Sequence, residues 1–391
     1  AQKEKGSADA GYAVDEISGL MPKFKSDGYR QIIKNVEGTK VPVELMKQTG
    51  NFEMFVDWRV KDGTAALNYG GVTLAELSKN SVIISGMTSK QATKKPTIRP
   101  NWNTLYLKVA NGRLTLISNG ETLAENYGID NLSGATPGST IEFQTRQGTV
   151  YVRDAYVYEH PATPEYQLTT EERKAGFEVL FGGRSLDKWE GNVKDYVPQE
   201  DGSMLVNAKY GNDRNLYTKR QYSDFIYRFE FCFLEPGVNN GVGIRTHQGT
   251  DAAYDGMEIQ VLDHDDPIYK GLRDYQQHGA VYGIIVPKHV KFGKLGTWNT
   301  EEIVAKGDHI KVTVNGEVIL DGNIREACQG HNIAPDGSKN NPYTVDHKNH
   351  PGLFNKQGYI SFCGHGAGVK FRNVRILDLS KATQAPNKRR K

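Results

Sequence analysis

The chain has 391 residues, a formal charge of +3, and 37% hydrophobic and 24% charged residues. That is an ordinary soluble composition, longer than one hydrophobic core usually covers, so two domains are expected. There is no basic stripe with interleaved aromatics to suit nucleic acid and no apolar run approaching the ~18 residues of a membrane span. The three cysteines show no CxxC or Cys/His metal spacing.

The chain begins "AQKEKG" without Met, which suits numbering after removal of a signal peptide and gives the expectation of a periplasmic or secreted protein. Its 42 glycines and 20 tyrosines predict an all-β chain, because Gly-rich turns separate Tyr-, Val- and Ile-rich runs. "NFEMFVDWRV" (51–60) reads as a strand, and "TLAELSKN" (73–80) as a helical turn or two. "LYLKVANGRLTLISNGETLAEN" (105–126) carries strand–Asn-Gly–strand hairpin signals. "IEFQTRQGTVYVRDAYVY" (141–158) reads as two short strands around a Gly turn. The prolines of "HPATPEYQLTTEERKAG" (160–176) mark a linker, followed by a short helix capped by Thr169 or Thr170 and stopped at Gly176. "DFIYRFEFCF" (224–233), "DHIKVTVNGEVILDGN" (308–323) and "SFCGHGAGVKFRNVRI" (361–376) then repeat the first three β signals in the same order. The tail "NKRRK" reads as a solvated end.

This ordered repetition predicts two antiparallel β-sandwich domains of related topology, 1–165 and 166–391, the first a shorter, degenerate copy. The polar density is highest at 237–283. In "GMEIQVLDH" the apolar Met257, Ile259 and Val261 alternate with Glu258 and Gln260, so a strand here turns Glu258 and Gln260 to one face. By the same alternation Arg245 and His247 share a face, as do His278 and Tyr282. A carboxylate, a cation, a histidine and a tyrosine from three strands suit sugar binding and proton transfer. "LDHDDP", with Asp263, His264, Asp265 and Asp266, plus His247 and His278, could hold a divalent ion, but no fixed metal spacing is present. No cofactor is assigned, and the oligomeric state is left open. A solvated polar surface accounts equally for any one of these signals.

"LTTEERKAGFEVLFGGRSLDKWEG" (168–191) resembles the opening of the 3-keto-disaccharide hydrolase domain family. "YDGMEIQVLD", "YQQHGAVYGI", "GTWNTEEIVAKGDHIKVTVNGEVI" and "GYISFCGHGAGVKFRNVRIL" follow in that family's order, so the resemblance spans about 168–380. It implies a concanavalin A-like jelly-roll sandwich and hydrolysis of glycosides whose sugar carries a 3-ketone. The route implied is proton abstraction beside the ketone, elimination of the aglycone and addition of water. Catalytic roles fall on Glu258, His278 and Arg245, with Glu258 or His278 as base and Arg245 polarising the ketone. Substrate contacts fall on Gln260, Asp263, Tyr282 and His365, with His365 also a candidate acid; His247 joins them from the residue pattern, while Arg372 and Asn373 are expected to be mainly structural. "FGGRSL" lacks the acidic residue usual in the family's opening, which touches a turn. Two other readings stay open: a non-catalytic carbohydrate-binding protein, and an ordinary glucanase. Laminarinase-type glucanases place Glu-x-Asp-x-(x)-Glu on one strand, whereas here the run is Glu258-Ile-Gln260-Val-Leu-Asp263. The first domain lacks that run and the "HGAVYG" segment. It is expected to be structural, with sugar binding by Trp58, Tyr69 or Trp102 the lesser alternative.

Overall fold

The computed structural model describes residues 28–33, 37–47, 50–87, 95–129, 140–207 and 215–382, so "AQKEKG" and "NKRRK" lie outside the described residues. The chain divides into two compact units, Ala1–Thr163 and Pro164–Lys391, and every strand pairing in both is antiparallel.

Among the described residues the first unit is one ten-stranded sheet. Its strands are β1 (Arg30–Ile33), β2 (Thr39–Lys40), β3 (Val43–Met46), β4 (Phe52–Tyr69), β5 (Val72–Ser78), β6 (Ser81–Ile84), β7 (Asn103–Ala110), β8 (Arg113–Ser118), β9 (Glu121–Gly128) and β10 (Ile141–Glu159). Two of them, β4 and β10, run 18 and 19 residues and pair along their whole length. At mid-length Gly63 faces Gly148, both at positive φ, and a Cβ on Gly63 would lie 1.8 Å from the Gln147 carbonyl oxygen. Only glycine tolerates that approach. The first half of β4 pairs β7 and its second half pairs β5, and apolar side chains from both halves share one core. Trp58 and Tyr69 are buried in that core, and Trp102 is buried with the guanidinium groups of Arg59 and Arg153 over its ring. Burial leaves none of the three an open face for a sugar.

Two sequence expectations change in this unit. Residues 73–80 form β5 and its turn, because pairing to β4 on one side and β6 on the other outweighs local helix propensity. Residues 141–158 form one continuous strand, since Gly148 bends β10 without ending it. The Asn-Gly signals hold: Asn111-Gly112 and Asn119-Gly120 have the paired positive φ of tight hairpin turns, as do Asn315-Gly316 in the second unit.

The second unit opens with α1 (Thr170–Ala175). Thr169 caps it, accepting from Glu172 N while the Glu172 carboxylate accepts from Thr169 N, and Gly176 ends it at φ +96°. Then come β11 (Glu178–Phe181), β12 (Trp189–Gly191), β13 (Tyr196–Pro198), β14 (Met204–Val206), β15 (Asn215–Tyr222), β16 (Phe225–Phe233), β17 (Asn239–Thr246), β18 (Met257–Leu262), β19 (Trp298–Lys306), β20 (His309–Val314), β21 (Glu317–Asn323), α2 (Ile324–Ala327), β22 (Gly358–Cys363), β23 (Val369–Asp378) and α3 (Leu379–Ala382).

An eight-stranded sheet, β13-β14-β23-β16-β19-β20-β21 with β11 on β23, packs against a five-stranded sheet, β12-β15-β22-β17-β18. Phe229, Phe231, Phe371, Ile303 and Val312 from the first meet Leu216, Val242, Ile259 and Phe362 from the second in one core. The Phe362 and Phe371 rings stack at 4.0 Å. They belong to β22 and β23, so the turn at 364–368 carries the chain from one sheet to the other. Arg372 and Asn373 sit on β23 and hold the Glu230 carboxylate of β16, a structural role.

Candidate active site

The inward face of the five-stranded sheet belongs to the core, so alternation leaves the opposite face for chemistry. On that face Gly243 lies opposite both Glu258 and Ser361, Gly241 opposite Gln260, and Asn215 opposite Cys363. Small residues in the middle strands make a groove, and the larger polar residues wall it. Gly241 is required there, because a Cβ on it would lie 2.2 Å from Glu258 Oε1. The Glu258 side chain therefore lies down across Gly241, with only 9% of its surface exposed, and His365 Nε2 stands 3.9 Å from Oε1.

β18 is an edge strand that the following segment covers. Gln260 N donates to Ala280 O, Gly279 N to Gln260 O, and Tyr282 N to Glu258 O at 2.9 Å. A bridge between Ile259 and Val281 puts those two side chains in the core, which leaves Tyr282 beside Glu258 on the groove side. The Tyr282 hydroxyl accepts from Gln276 Nε2 at 3.1 Å, and Gln260 Nε2 donates to Gln276 O at 3.1 Å. The Gln260 amide oxygen is buried with no hydrogen-bond partner among the described residues. Such an acceptor costs stability unless a ligand hydroxyl or water satisfies it.

Glu258, Gln260, Tyr282 and His365 are thus brought together. The other expected residues are not. Arg245 stands at φ +51°, where the register of β17 against β22 shifts, so the alternation that grouped it with His247 breaks. Its guanidinium is buried and donates to Ser223 O, Gly307 O at 2.6 Å and Asp224 Oδ1 at 3.1 Å. It clamps the turns of the larger sheet and does not serve as the ketone-polarising cation. His278 is completely buried. Its Nδ1 accepts from Leu262 N at 3.2 Å and its Nε2 donates to Glu301 Oε1 at 2.6 Å, with no exposure on either side chain. A group sealed between two sheets is a core pin and no base for a substrate. Asp263 Oδ2 accepts from Gly237 N at 2.9 Å and fixes a turn. His247 Nδ1 bonds Asp255 Oδ2 at 2.8 Å, holding the 247–255 loop together.

The acidic loop makes no ready metal centre. Among the described residues His264, Asp265 and His289 bring ligand atoms within 4.8 Å of one another. But His264 Nε2 donates to Val290 O at 2.6 Å and Nδ1 accepts from His278 N at 3.1 Å, so both ring nitrogens are committed. Burial holds the His264 pKa down at about 4, so the ring stays neutral. Asp266 Oδ1 caps the turn at Pro267–Tyr269 by accepting from Ile268 N.

All three cysteines are buried and free. Cys363 lies on the groove floor beside Ser361, but burial pushes its thiol well above the ordinary range, so it is no thiolate nucleophile. Sequence reasoning passed over Gln276, which ties Tyr282 to Gln260. It lies in a single 3-10 turn, Asp274–Gln276, too short for any periodic pattern to announce which way it faces.

A family model described as the 3-keto-alpha-glucoside-1,2-lyase-like domain matches residues 176–377. A 3-keto-disaccharide hydrolase from Bacteroides thetaiotaomicron is 26% identical over 231 residues, covering 51% of this chain and 78% of that protein. Two solved structures of proteins described as "putative glycosyl hydrolase", both from Parabacteroides distasonis, are also similar. One has 22% identity and a TM-score of 0.45, covering 55% of this chain and 99% of the other. The second has 25% identity and a TM-score of 0.43, covering 52% and 99%. Among the described residues no helix is long and apolar enough to cross a membrane. Through residues 176–377, the chain belongs to the 3-keto-alpha-glucoside-1,2-lyase-like domain family and is a carbohydrate-directed hydrolase.

Proposed function

We propose that the second unit cleaves 3-keto glycosides by elimination and hydration, with Glu258 as the base. The observation that carries this is the placement of Glu258 over Gly241 at the bottom of a polar groove, within reach of His365. Along the same strand the acids of a glucanase are missing from the groove. Gln260 is an amide bonded to Gln276 O, and Asp263 is turned into a backbone cap. A retaining glycosidase needs a second carboxylate about 5–5.5 Å from the first. A 3-ketone removes that need, because it acidifies the hydrogen on C2 and one base suffices.

Glu258 takes the C2 proton, the C2–H electron pair becomes the C1=C2 bond, and the C1–O pair leaves with the aglycone oxygen. Water then adds at C1 and Glu258 returns its proton to C2, so the net result is hydrolysis. The unfilled Gln260 amide oxygen and the Tyr282 hydroxyl supply hydrogen bonds to sugar hydroxyls. His365 supports the charge that develops beside Glu258. The test is incubation with a 3-keto disaccharide and with its unoxidised parent, using the wild type and Glu258→Gln. Cleavage of the keto sugar alone is expected, falling about 10²–10⁴-fold in the variant. Cleavage of the parent, or an unimpaired variant, would overturn the proposal, and glycan binding without turnover of either would favour a binding module.

A further inference from the structure

Elimination also needs a proton for the departing aglycone oxygen, and His365, the acid candidate from sequence, stands beside the base, 3.9 Å from Glu258 Oε1. The turn Asp251–Tyr254 lies on the groove side of the sheet. Ala252 comes within 3.0 Å of where a Cβ on Gly243 would sit, on the strand position opposite Glu258. Tyr254 at the end of that turn is partly exposed, and its position is set from beneath. The His350 ring packs against the Tyr254 ring at 4.8 Å. His350 is itself fully buried, with Nδ1 donating to Ala253 O at 2.8 Å and Nε2 at 2.9 Å from both oxygens of Asp346. The loop carrying this pair is docked on the segment that positions Tyr282. Val345 N donates to Gly283 O, and Gly283 at φ +74° leaves no room for a Cβ, which would fall 2.4 Å from Asp346 Oδ2. Lys348, two residues after Asp346, reaches back so that Nζ lies 5.7 Å from the Tyr254 ring centroid.

We infer that Tyr254 is the proton donor to the leaving aglycone oxygen, with Lys348 polarising its phenol and the Asp346–His350 pair positioning its ring. The inference rests on the elimination reading above. The Lys348 ammonium stands beside the phenol, where its charge stabilises the phenolate formed when the phenol proton passes to a ligand. As Glu258 takes the C2 proton and the C1–O bond breaks, the aglycone oxygen takes the Tyr254 proton. When water adds its oxygen to C1, its proton returns to the Tyr254 phenolate and Glu258 restores the hydrogen at C2, so both groups end as they began. The charged and titratable groups that face Tyr254 are Lys348, Asp346, His350 and Tyr282. Burial first, and then the Asp346 carboxylate, raise the Tyr254 pKa, opposed by Lys348. The phenol therefore keeps its proton through neutral pH, and a weak acid matches an alkoxide leaving group.

The test compares two aglycones on 3-keto glucosides, a sugar alcohol and p-nitrophenol, because p-nitrophenolate leaves without needing a proton. For Tyr254→Phe, kcat should fall about 10²–10⁴-fold with the sugar aglycone and less than about tenfold with p-nitrophenol. Lys348→Met, a change at an exposed side chain, should show the same aglycone dependence at smaller amplitude and move the alkaline limb of the sugar-aglycone profile. Equal losses on both aglycones, or none on either, would overturn the assignment while leaving Glu258 as base. A wild type inert on both substrates would instead remove the elimination reading itself.

Discussion

Glycine 241 is the position at which the fold and the proposed chemistry are most tightly joined. In Gly241→Ala the new Cβ would stand 2.2 Å from Glu258 Oε1, 2.8 Å from its Cδ and 2.9 Å from its Cγ, where ordinary contact begins near 3.4 Å. The carboxylate must therefore retreat by roughly 1 Å, and misplacement of a reacting group on that scale costs about 10² in rate. The stability cost is smaller. Overpacking takes about 1–3 kcal/mol, offset by roughly 0.4–1 kcal/mol from the lower entropy of the unfolded alanine chain. The assay is kcat on a 3-keto disaccharide, measured alongside a urea unfolding curve so that activity is expressed per folded molecule. The expected result is a protein that is largely folded at 25 °C and about a hundredfold slower. Full activity in Gly241→Ala would refute the reasoning, since the carboxylate could not then depend on the space that the glycine leaves.

The buried His278–Glu301 pair predicts a different signature. His278→Ala strands the Glu301 carboxylate between two sheets and should cost about 3–5 kcal/mol in urea unfolding, with kcat per folded molecule nearly unchanged. A stable but inactive variant would return His278 to the catalytic list. Glu172 predicts an acid limit to stability. Burial would raise its pKa, but hydrogen bonds from Tyr166, Arg375 and Thr169 N hold it down at about 2, from 4.5. A depressed carboxyl pKa stabilises the fold above the unfolded value and loses that contribution as pH falls from about 4.5 towards 2. Glu172→Gln should therefore flatten the fall in unfolding free energy over that window by up to roughly 3 kcal/mol, and an unchanged slope would contradict the assignment.

The fold was largely legible in the sequence because its signals are local. Alternation placed Met257, Ile259 and Val261 inside and Glu258 and Gln260 outside, and three Asn-Gly pairs fixed hairpins at 111–112, 119–120 and 315–316. Thr169 and Gly176 bounded their helix for the same reason. What alternation cannot supply is the place where it stops. A single residue at positive φ turned Arg245 out of register, and the pinned loop around His278 drove that side chain inward, so two of the three catalytic candidates went to structural work. Residue 148 shows the converse, since a glycine that reads as a turn instead bends one long strand past its partner. Tyr254 and Lys348 meet because two distant loops dock on Gly283 and the buried Asp346–His350 pair. That is a tertiary fact with no sequence period.

In the proposed mechanism Glu258 breaks the C2–H bond before the glycosidic bond is lost. The most direct measurement is the kinetic isotope effect on a 3-keto disaccharide deuterated at C2, measured under single-turnover conditions so that product release does not mask chemistry. A primary isotope effect on cleavage is expected, with no cleavage of the unoxidised disaccharide. Equal rates for the protiated and deuterated substrates, with the parent sugar also cleaved, would mean direct glycoside hydrolysis and would contradict that mechanism.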